Sequence, residues 1–466
     1  MTPPQEHSSE STIAALATAP FPAGLAVVRV SGPKTKTALR AIFRSKKNPV
    51  DDPRSLIYGD LIDFKTNQVI DNALAVYMPA PHSYTGEDVA ELQCHGSPLL
   101  VQKILGSLFA FGITPAEPGE FTKRAFLNGK VDLVQAEAIC ELINAASEQA
   151  LKIAGEHLKG RFSGAISEIG DPLRNLLAEM EARIDFPEED VPAEELDALG
   201  KALALAKHNI NKLLETFAHG HLVKEGFRVL LCGRPNVGKS SILNLLLRSD
   251  RAIVTEVSGT TRDLIEEQAI ISDFRFVFCD SAGIRDTDDK VERLGVELAK
   301  DRVGWADLVL FVVDATDTDR SWEEVLEYLR GRARKIWMVT NKVDLNPQAI
   351  GSFVCDSKTC AQNFYISAKT KDGLDSLQAA LVDEVATSLP TRSEAGQVIS
   401  NERQRNCLSS ASESVSNALG ALRQELPLEI ICAEVRIALD RLDEIIGKTY
   451  TEDILGRIFL KFCIGK

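Results

Sequence analysis

The residues with the clearest chemistry form a glycine-rich segment from Gly233 to Ser240, with the sequence Gly-Arg-Pro-Asn-Val-Gly-Lys-Ser. An apolar run beginning at Phe227 precedes it and a leucine-rich helical pattern follows it, which is the arrangement of a phosphate-binding loop. Backbone N–H groups of such a loop point at phosphate oxygens, Lys239 supplies positive charge to the β- and γ-phosphates, and the Ser240 hydroxyl can bind Mg²⁺. The sequence therefore predicts binding of a nucleoside triphosphate.

A second motif indicates which base is bound. Residues 335–340 form a predicted buried parallel strand that ends in Asn341-Lys342-Val343-Asp344. The Asp344 carboxylate can accept two hydrogen bonds from guanine, whereas adenine has no matching pair of donors. Another predicted strand, residues 363–366, leads into Ser367-Ala368-Lys369, which is similar to the second base-contacting loop of GTPases. A surface Asn-Lys turn is the alternative for this motif in isolation, but its position after a phosphate loop favours guanine.

Two segments between these motifs are expected to respond to the γ-phosphate. Thr261, within Gly-Thr-Thr-Arg-Asp, offers a second hydroxyl ligand for Mg²⁺. Asp280 follows the predicted strand 276–279 and begins Asp-Ser-Ala-Gly; it is expected to hold Mg²⁺ through water, with the Gly283 N–H facing the γ-phosphate. Together the segments predict a two-state switch.

The residue after Gly283 is Ile284, where many regulatory GTPases carry a glutamine that positions water. An apolar side chain cannot orient a nucleophilic water, so hydrolysis must use a polar group from elsewhere. Spacing alone does not choose among the acidic candidates, and a solvated charged loop is the alternative. The candidates are Asp286, Asp288, Asp289 and Glu292.

These motifs, with Val-Glu-Arg-Leu-Gly at 291–295 and Phe-Cys-Ile-Gly-Lys at 462–466, resemble the MnmE family, also called TrmE, of bacterial tRNA-modification GTPases. The resemblance spans nearly the whole chain and includes two N-terminal blocks, residues 84–92 and 118–128. It implies that Glu292 is catalytic and orients the attacking water through an intervening water. It also implies a K⁺ ion beside the β- and γ-phosphates, which would complete its ligand shell when two GTPase domains dimerise. The K⁺ ligands matched are Asn236, Thr255, Val257 and Thr260.

The motifs and the resemblance together predict a GTP-binding set that draws on every segment described above. The box that begins at Asp280 has serine where the family more often has threonine, and the hydroxyl is kept. The GTP-binding residues are Asn236, Val237, Gly238, Lys239, Ser240, Ser241, Thr255, Thr260, Thr261, Asp280, Ser281, Ala282, Gly283, Asn341, Lys342, Asp344, Ser367, Ala368 and Lys369.

The first ~130 residues carry short apolar runs between Pro and Gly breaks, which favours an α+β domain. In the family this domain binds a formyl-tetrahydrofolate-type one-carbon donor and forms a homodimer. Arg29, Glu91, Lys130 and the terminal Lys466 match the folate-contacting positions; from the residues alone, surface charges flanking strands are the alternative. Residues 20–24, Pro-Phe-Pro-Ala-Gly, depart from the family's Gly/Arg-rich stretch, so the resemblance does not predict the local shape of the folate pocket.

Helical periodicity dominates from Val131 to about residue 221 and again after Pro390, with Asp171 and Pro172 expected to cap and begin one helix. The predicted fold is multidomain: an α+β N-terminal folate-binding-like domain, an all-α helical domain and an inserted α/β P-loop GTPase domain. The predicted limits are 1–129 for the N-terminal domain, 130–221 and 387–466 for the two parts of the helical domain, and 222–386 for the GTPase domain.

Composition limits the class of protein. The net charge of −14 excludes a generally basic nucleic-acid binder, so any tRNA contact must use a local basic patch or a partner's surface. The nine cysteines lack CxxC pairs and are expected to be thiols in a reducing compartment. Neither a signal-peptide pattern nor a membrane-spanning apolar run is present, which predicts a cytoplasmic protein without a membrane partner.

The resemblance implies a K⁺- and Mg²⁺-dependent GTPase that works with a flavin-dependent, MnmG/GidA-like partner, in a heterotetramer or larger assembly, to modify C5 of the wobble uridine in tRNA. The alternative is a GTP-dependent ribosome-assembly switch, although no basic GxxG segment of a KH domain stands outside the phosphate loop. A membrane-remodelling GTPase is a third possibility, which the acidic helices disfavour.

Overall fold

The computed structural model describes residues 11–185, 193–247, 266–280, 302–317, 322–351, 360–387 and 395–466. The strands within these ranges are β1 Ile13–Leu16, β2 Ala23–Ser31, β3 Phe43–Arg44, β4 Ile57–Ile62, β5 Val69–Met78, β6 Val89–Gly96, β7 Thr114–Pro115, β8 Phe227–Cys232, β9 Glu266–Ile271, β10 Phe274–Asp280, β11 Leu308–Asp314, β12 Ile336–Asn341 and β13 Gln362–Tyr365. The α-helices are α1 Thr35–Ile42, α2 Pro98–Ala110, α3 Glu120–Leu127, α4 Leu133–Ile143, α5 Glu148–Leu158, α6 Arg161–Asp185, α7 Ala193–Glu215, α8 Phe217–Glu225, α9 Lys239–Leu247, α10 Trp322–Leu329, α11 Leu374–Thr387, α12 Glu402–Arg423, α13 Leu428–Ile446 and α14 Glu452–Phe459.

The N-terminal sheet has the strand order β3-β4-β5-β6-β2-β1-β7. Its neighbours are antiparallel except for the short parallel pair of β1 and β7. Alternate residues of β2, such as Val28 and Val30, are buried in the core that α1 and α2 share with the sheet, while Arg29 points to the other face. The α+β prediction for this region is therefore confirmed.

The second sheet has the order β13-β12-β11-β8-β10-β9 and is parallel apart from the edge strand β9. Its central strands β8, β11 and β12 are predominantly apolar because helices cover both faces of a parallel sheet. The carboxyl ends of these strands lie along one edge, which is where ligands bind in open α/β sheets. The predicted α/β GTPase fold is confirmed.

The chain divides into two compact units. The first comprises Met1–Ile143, Gly155–Lys207 and Ser410–Lys466, and thus holds the N-terminal sheet with much of the helical region. The second comprises Asn144–Ala154 and His208–Ser409, and holds the parallel sheet. The four-segment domain limits derived from the sequence remain a prediction.

The helical periodicity predicted after Pro390 is confirmed on α13, where Cys432, Val435, Leu439 and Leu442 recur at helical spacing and are all buried. The expectation that a helix begins at Asp171 and Pro172 is wrong. α6 runs without a break from Arg161 to Asp185, with Pro172 inside it. Buried apolar residues lie on both sides of the proline, so packing against α13 outweighs the local cost of one missing hydrogen bond.

Cys360 is disulfide-bonded, contrary to the expectation that the cysteines are free thiols. Within the residues that the structure describes, no helix combines the length and apolarity needed to cross a bilayer.

Candidate functional site

The phosphate-binding loop joins the end of β8 to the start of α9, as predicted. Gly233, Asn236 and Gly238 have φ angles of 150°, 63° and 99°, so the backbone turns sharply enough to direct successive N–H groups inward. A Cβ atom at Gly238 would stand 2.2 Å from Asn341 Nδ2, which explains why only glycine fits there. Val237, which belongs to the loop, has a buried side chain, and Ser241 lies in the first turn of α9.

Lys239 and Ser240 lie where a triphosphate would meet the helix. The Lys239 ammonium donates to the carbonyl oxygens of Gly233 and Arg234 at 2.9 Å each. Burial lowers the pKa of Lys239, and the nearby Asp280 opposes this shift. Phosphate oxygens are stronger acceptors than these carbonyl oxygens, so the ammonium can exchange its hydrogen bonds to the carbonyls for hydrogen bonds to a bound phosphate.

Asp280 lies at the carboxyl end of β10, directly opposite the start of α9. Its Oδ2 atom accepts a 2.7 Å hydrogen bond from Ser240 Oγ. A hydroxyl and a carboxylate oxygen at this distance provide the hard ligands that Mg²⁺ prefers. The structure thus brings together two of the predicted Mg²⁺-associated residues, which lie forty positions apart in sequence.

The base-recognition motif is tied to the phosphate loop through Asn341. Its Nδ2 donates to the buried Val237 carbonyl at 2.8 Å, and its Oδ1 accepts from the Ala368 N–H at 3.0 Å. Asp344 Oδ1 accepts a 2.7 Å hydrogen bond from Ser367 Oγ, which orients the carboxylate. The two predicted guanine-binding segments and the phosphate loop therefore form one connected edge of the sheet; Lys369 follows them as an exposed side chain.

Asp314 is a member of this edge that sequence reasoning missed. Lys342 Nζ donates to Asp314 Oδ2 at 2.6 Å and to the Asn236 carbonyl at 2.8 Å. Burial opposes ionisation of Asp314, but hydrogen bonds from Lys342 and Thr316 outweigh it and lower its pKa. An available signal was its position at the carboxyl end of the apolar strand β11, beside β8 in the sheet.

Several predicted residues lie outside the described part of the chain. They are the K⁺ ligands Thr255, Val257 and Thr260, the Mg²⁺ ligand Thr261, the γ-phosphate segment Ser281, Ala282 and Gly283, and the catalytic candidate Glu292.

A second cluster surrounds Arg29 on the N-terminal sheet. Arg29 Nε donates to Glu91 Oε1 at 3.0 Å, across neighbouring strands β2 and β6. Its guanidinium lies 5.2 Å from the ring centroid of Tyr84 and 5.7 Å from that of Phe121. Sequence reasoning did not select these two rings, although both belong to the conspicuous N-terminal blocks. They form apolar walls around a charged pair that is only partly exposed.

The C-terminal tail reaches this cluster. The Gly465 carbonyl accepts a 3.4 Å hydrogen bond from Arg29 Nη1, and the Cys463 carbonyl accepts from the Gly119 N–H at 3.4 Å. Arg29, Glu91 and the segment that bears Lys466 are thus neighbours. Lys130 instead donates to the Pro81 carbonyl at 3.1 Å, near the loop that carries Tyr84.

A buried arginine connects the two N-terminal blocks. Arg124, 5% exposed, donates to Glu120 Oε1 at 2.7 Å and to Glu87 Oε2 at 3.2 Å. Glu87 Oε2 also accepts from Ser31 Oγ at 2.7 Å. The network fixes the segments that hold Tyr84 and Phe121, because each ring lies within three residues of one of its members.

Residues 20–24, whose sequence departs from the family's pattern, lie beside a different space. Pro20 and Phe21 line an apolar cavity of about 470 Å³, together with Leu16 and residues of α2. None of Arg29, Glu91, Lys130 and Lys466 lines this cavity. The departure therefore lies at a cavity that the predicted folate-contacting side chains do not line.

Comparisons with known proteins cover nearly the whole chain. The family model described as "MnmE helical domain" matches residues 133–463, and the model "GTP-binding protein TrmE N-terminus" matches residues 12–130. The tRNA modification GTPase MnmE of Natranaerobius thermophilus is 39% identical over 459 residues, covering 98% of this chain and 100% of the relative. The chain belongs to the MnmE family. The corresponding protein of Moorella thermoacetica is 41% identical over 472 residues, with the same coverage.

Among solved structures, the chain is similar to a variant of Aquifex aeolicus Era bound to GDP and aluminium fluoride. The match has 26% sequence identity and a TM-score of 0.27, and it covers 40% of this chain and 66% of the Era chain. Membership of the MnmE family together with the nucleotide-site geometry makes this chain a GTP hydrolase of the tRNA-modification class. The resemblance inferred from the motifs is confirmed.

Proposed function

We propose that this chain is a K⁺-stimulated GTPase whose GTP cycle is coupled to modification of C5 of the wobble uridine in tRNA. The observation that supports the proposal most strongly is the connected nucleotide site, in which Asn341 joins the phosphate loop to the base-recognition segments. The named activity of the relatives and their full-length similarity support the tRNA substrate. Family membership favours this reading over a ribosome-assembly switch. A tRNA substrate also supports the proposed cytoplasmic location.

Each described residue has a distinct task in the proposed reaction. Lys239 neutralises charge on the β- and γ-phosphates after releasing the Gly233 and Arg234 carbonyls. Asn341 accepts a hydrogen bond from the Ala368 N–H and so holds the base-contacting segment beside the phosphate loop, and Asp344 accepts the guanine donors. Outside the described residues, Glu292 is proposed to orient the attacking water through a second water, in the role that glutamine has in other GTPases.

The residues at the phosphates fit two cations. Ser240 would bind Mg²⁺ directly, Asp280 would act through water, and the 2.7 Å contact between them supports this pairing. Asn236, exposed at the rim of the loop, would contribute to a K⁺ site with Thr255, Val257 and Thr260, and Thr261 would complete the Mg²⁺ set. When bound, the cations supply positive charge that stabilises the negative charge developing on the phosphate oxygens.

The cluster at Arg29 is proposed to bind a formyl-tetrahydrofolate-type one-carbon donor. Glu91 offers carboxylate acceptors for N–H groups of a flat heterocycle, and the Tyr84 and Phe121 rings provide apolar surface beside them. Lys130 and Lys466 would attract the carboxylates of the glutamyl tail. We further propose that the N-terminal domain forms a homodimer and that a flavin-dependent partner joins the assembly.

The test is GTP turnover by the purified full-length chain in KCl and in NaCl at equal ionic strength, with Glu292→Ala and the matched control Asp289→Ala. Strong stimulation by K⁺ that Glu292→Ala abolishes and Asp289→Ala retains supports the proposal. Equal turnover in the two salts would contradict the K⁺ assignment, and an unimpaired Glu292→Ala variant would contradict the catalytic assignment.

A further inference from the structure

Charge is distributed unevenly along this acidic chain. Residues 11–130 contain thirteen Lys and Arg against ten Asp and Glu, although the whole chain has a net charge of −14. The N-terminal part is therefore slightly basic and the remainder is strongly acidic. A polyanion such as RNA is repelled by the acidic remainder and attracted to the basic part, so the location of the surplus cations indicates where it would bind.

The basic surplus is concentrated in one segment. Six cations lie between Pro33 and Asn48 without a single Asp or Glu among them. All six are exposed, and we name this set the α1–β3 surface. Its members are Lys34, Lys36, Arg40, Arg44, Lys46 and Lys47.

The fold holds the helical part of this surface outward. Lys36 and Arg40 lie one turn apart on α1, about 6 Å along the helix axis. The opposite face of α1 is fixed because Ala38, Leu39 and Ile42 are buried in the core of the N-terminal sheet. Both cations are therefore exposed on the side of α1 that faces away from this core.

Carboxylates from neighbouring segments pair with three of the six cations. Arg40 contacts Asp51 at 2.6 Å, Lys47 contacts Asp52 at 2.6 Å, and Lys36 contacts Asp88 at 3.4 Å. Each of these pairs includes a side chain that is more than half exposed. Exposed ion pairs contribute little to stability, so a phosphate can replace the carboxylate at low cost.

The other contacts of the surface leave its charge largely uncancelled. Lys34 Nζ donates to the neutral Gly112 carbonyl at 3.3 Å. Arg44 lies opposite Asp60 across the β3–β4 pair, but its guanidinium donates to the Asn67 amide oxygen at 2.8 Å. Six cations thus face four carboxylates, and a positive surplus remains on an exposed ridge.

We propose that the α1–β3 surface binds the sugar-phosphate backbone of the tRNA substrate. The identity of the RNA as tRNA rests on the proposed function, and the new element is the surface of this chain that the tRNA contacts. Because these side chains contact phosphates rather than base edges, they position the RNA without selecting its sequence.

The test measures tRNA binding by the full-length chain at several KCl concentrations. The test variant is Lys36→Gln/Arg40→Gln/Lys47→Gln. The matched control is Lys201→Gln/Lys212→Gln/Arg423→Gln, which removes the same charge from exposed positions on α7 and α12. The test variant is expected to bind about tenfold more weakly at 0.1 M salt, with a slope of log K against log salt smaller by about 2 to 3. The control is expected to stay within about twofold of the wild type.

GTP turnover without tRNA serves as the folding check, since none of the six substituted residues contacts the nucleotide-site residues described above. Equal loss of tRNA binding in the test and control variants would refute the inference, because net charge rather than this surface would then be responsible. Unchanged binding and an unchanged salt slope in the test variant would also refute it. The proposed function is judged separately, by wobble-uridine modification in cells that carry the wild-type or the Glu292→Ala chain.

Discussion

Asn341 offers the sharpest test of how the nucleotide site is assembled. Its side chain is 1% exposed and makes two hydrogen bonds, to the Val237 carbonyl at 2.8 Å and from the Ala368 N–H at 3.0 Å. Replacement by alanine leaves both backbone groups without this partner. Each buried group that loses its hydrogen bond costs about 1–3 kcal/mol, so the loss of two is expected to lower the free energy of unfolding of Asn341→Ala by roughly 2–6 kcal/mol.

The same substitution should weaken nucleotide binding, because no side chain would then hold the phosphate loop and the Ala368 segment at a fixed distance from each other. A loss of about 1.4–2.8 kcal/mol in binding corresponds to a tenfold to hundredfold rise in Kd for both GTP and GDP. The assay is fluorescence titration of labelled GTP and GDP, with urea unfolding measured in parallel.

Asn346→Ala is the matched control for this prediction. Asn346 also donates a side-chain hydrogen bond to a backbone carbonyl at the same edge of the sheet, that of Ala315 at 2.9 Å, but does not join the two nucleotide-binding segments. It should lower the free energy of unfolding by about 1 kcal/mol and leave Kd within about twofold of the wild type. If Asn341→Ala also left Kd within twofold while reducing stability, the proposed coupling between the segments would be refuted.

Two further predictions concern the N-terminal part of the chain. Gly465→Ala would place a Cβ atom 2.1 Å from the Leu16 carbonyl oxygen at a φ of 97°, so it should detach the C-terminal tail and lower the free energy of unfolding by about 1–3 kcal/mol, measured by urea unfolding and by proteolysis of the tail. The control Gly456→Ala, whose Cβ would meet nothing within 4 Å, should have little effect. Equal stability of the two variants would contradict the tail contact. Arg124→Met should lower the free energy of unfolding in urea by about 3–5 kcal/mol, because it leaves two poorly exposed glutamates without their cation. The control Arg441→Met, which removes an exposed ion pair within one helix, should lower it by less than about 1 kcal/mol. Comparable losses in the two variants would show that the buried network is not stabilising.

Motifs that are contiguous in sequence were predictable because their chemistry is local. The segment Gly233–Ser240 needs only its own residue types to form a phosphate loop, and the apolar runs of β8 and β12 needed only their composition to be recognised as buried strands. The resemblance to the MnmE family rested on such blocks as well. The same local logic failed at Pro172, where a helix-start signal lies inside α6, because packing against a distant helix is not visible in the neighbouring residues.

The amino-acid sequence alone was enough to predict the nucleotide-binding chemistry, the class of each main region and the family. The three-dimensional structure was needed to show that Arg29 contacts Gly465 across 436 positions, that Tyr84 and Phe121 lie beside this arginine, and that Asp314 holds Lys342 at the nucleotide edge. Local patterns report which backbone conformation a segment prefers. Contacts between residues far apart in sequence depend on how sheets and helices pack around a shared core, and a single sequence carries no direct record of that packing.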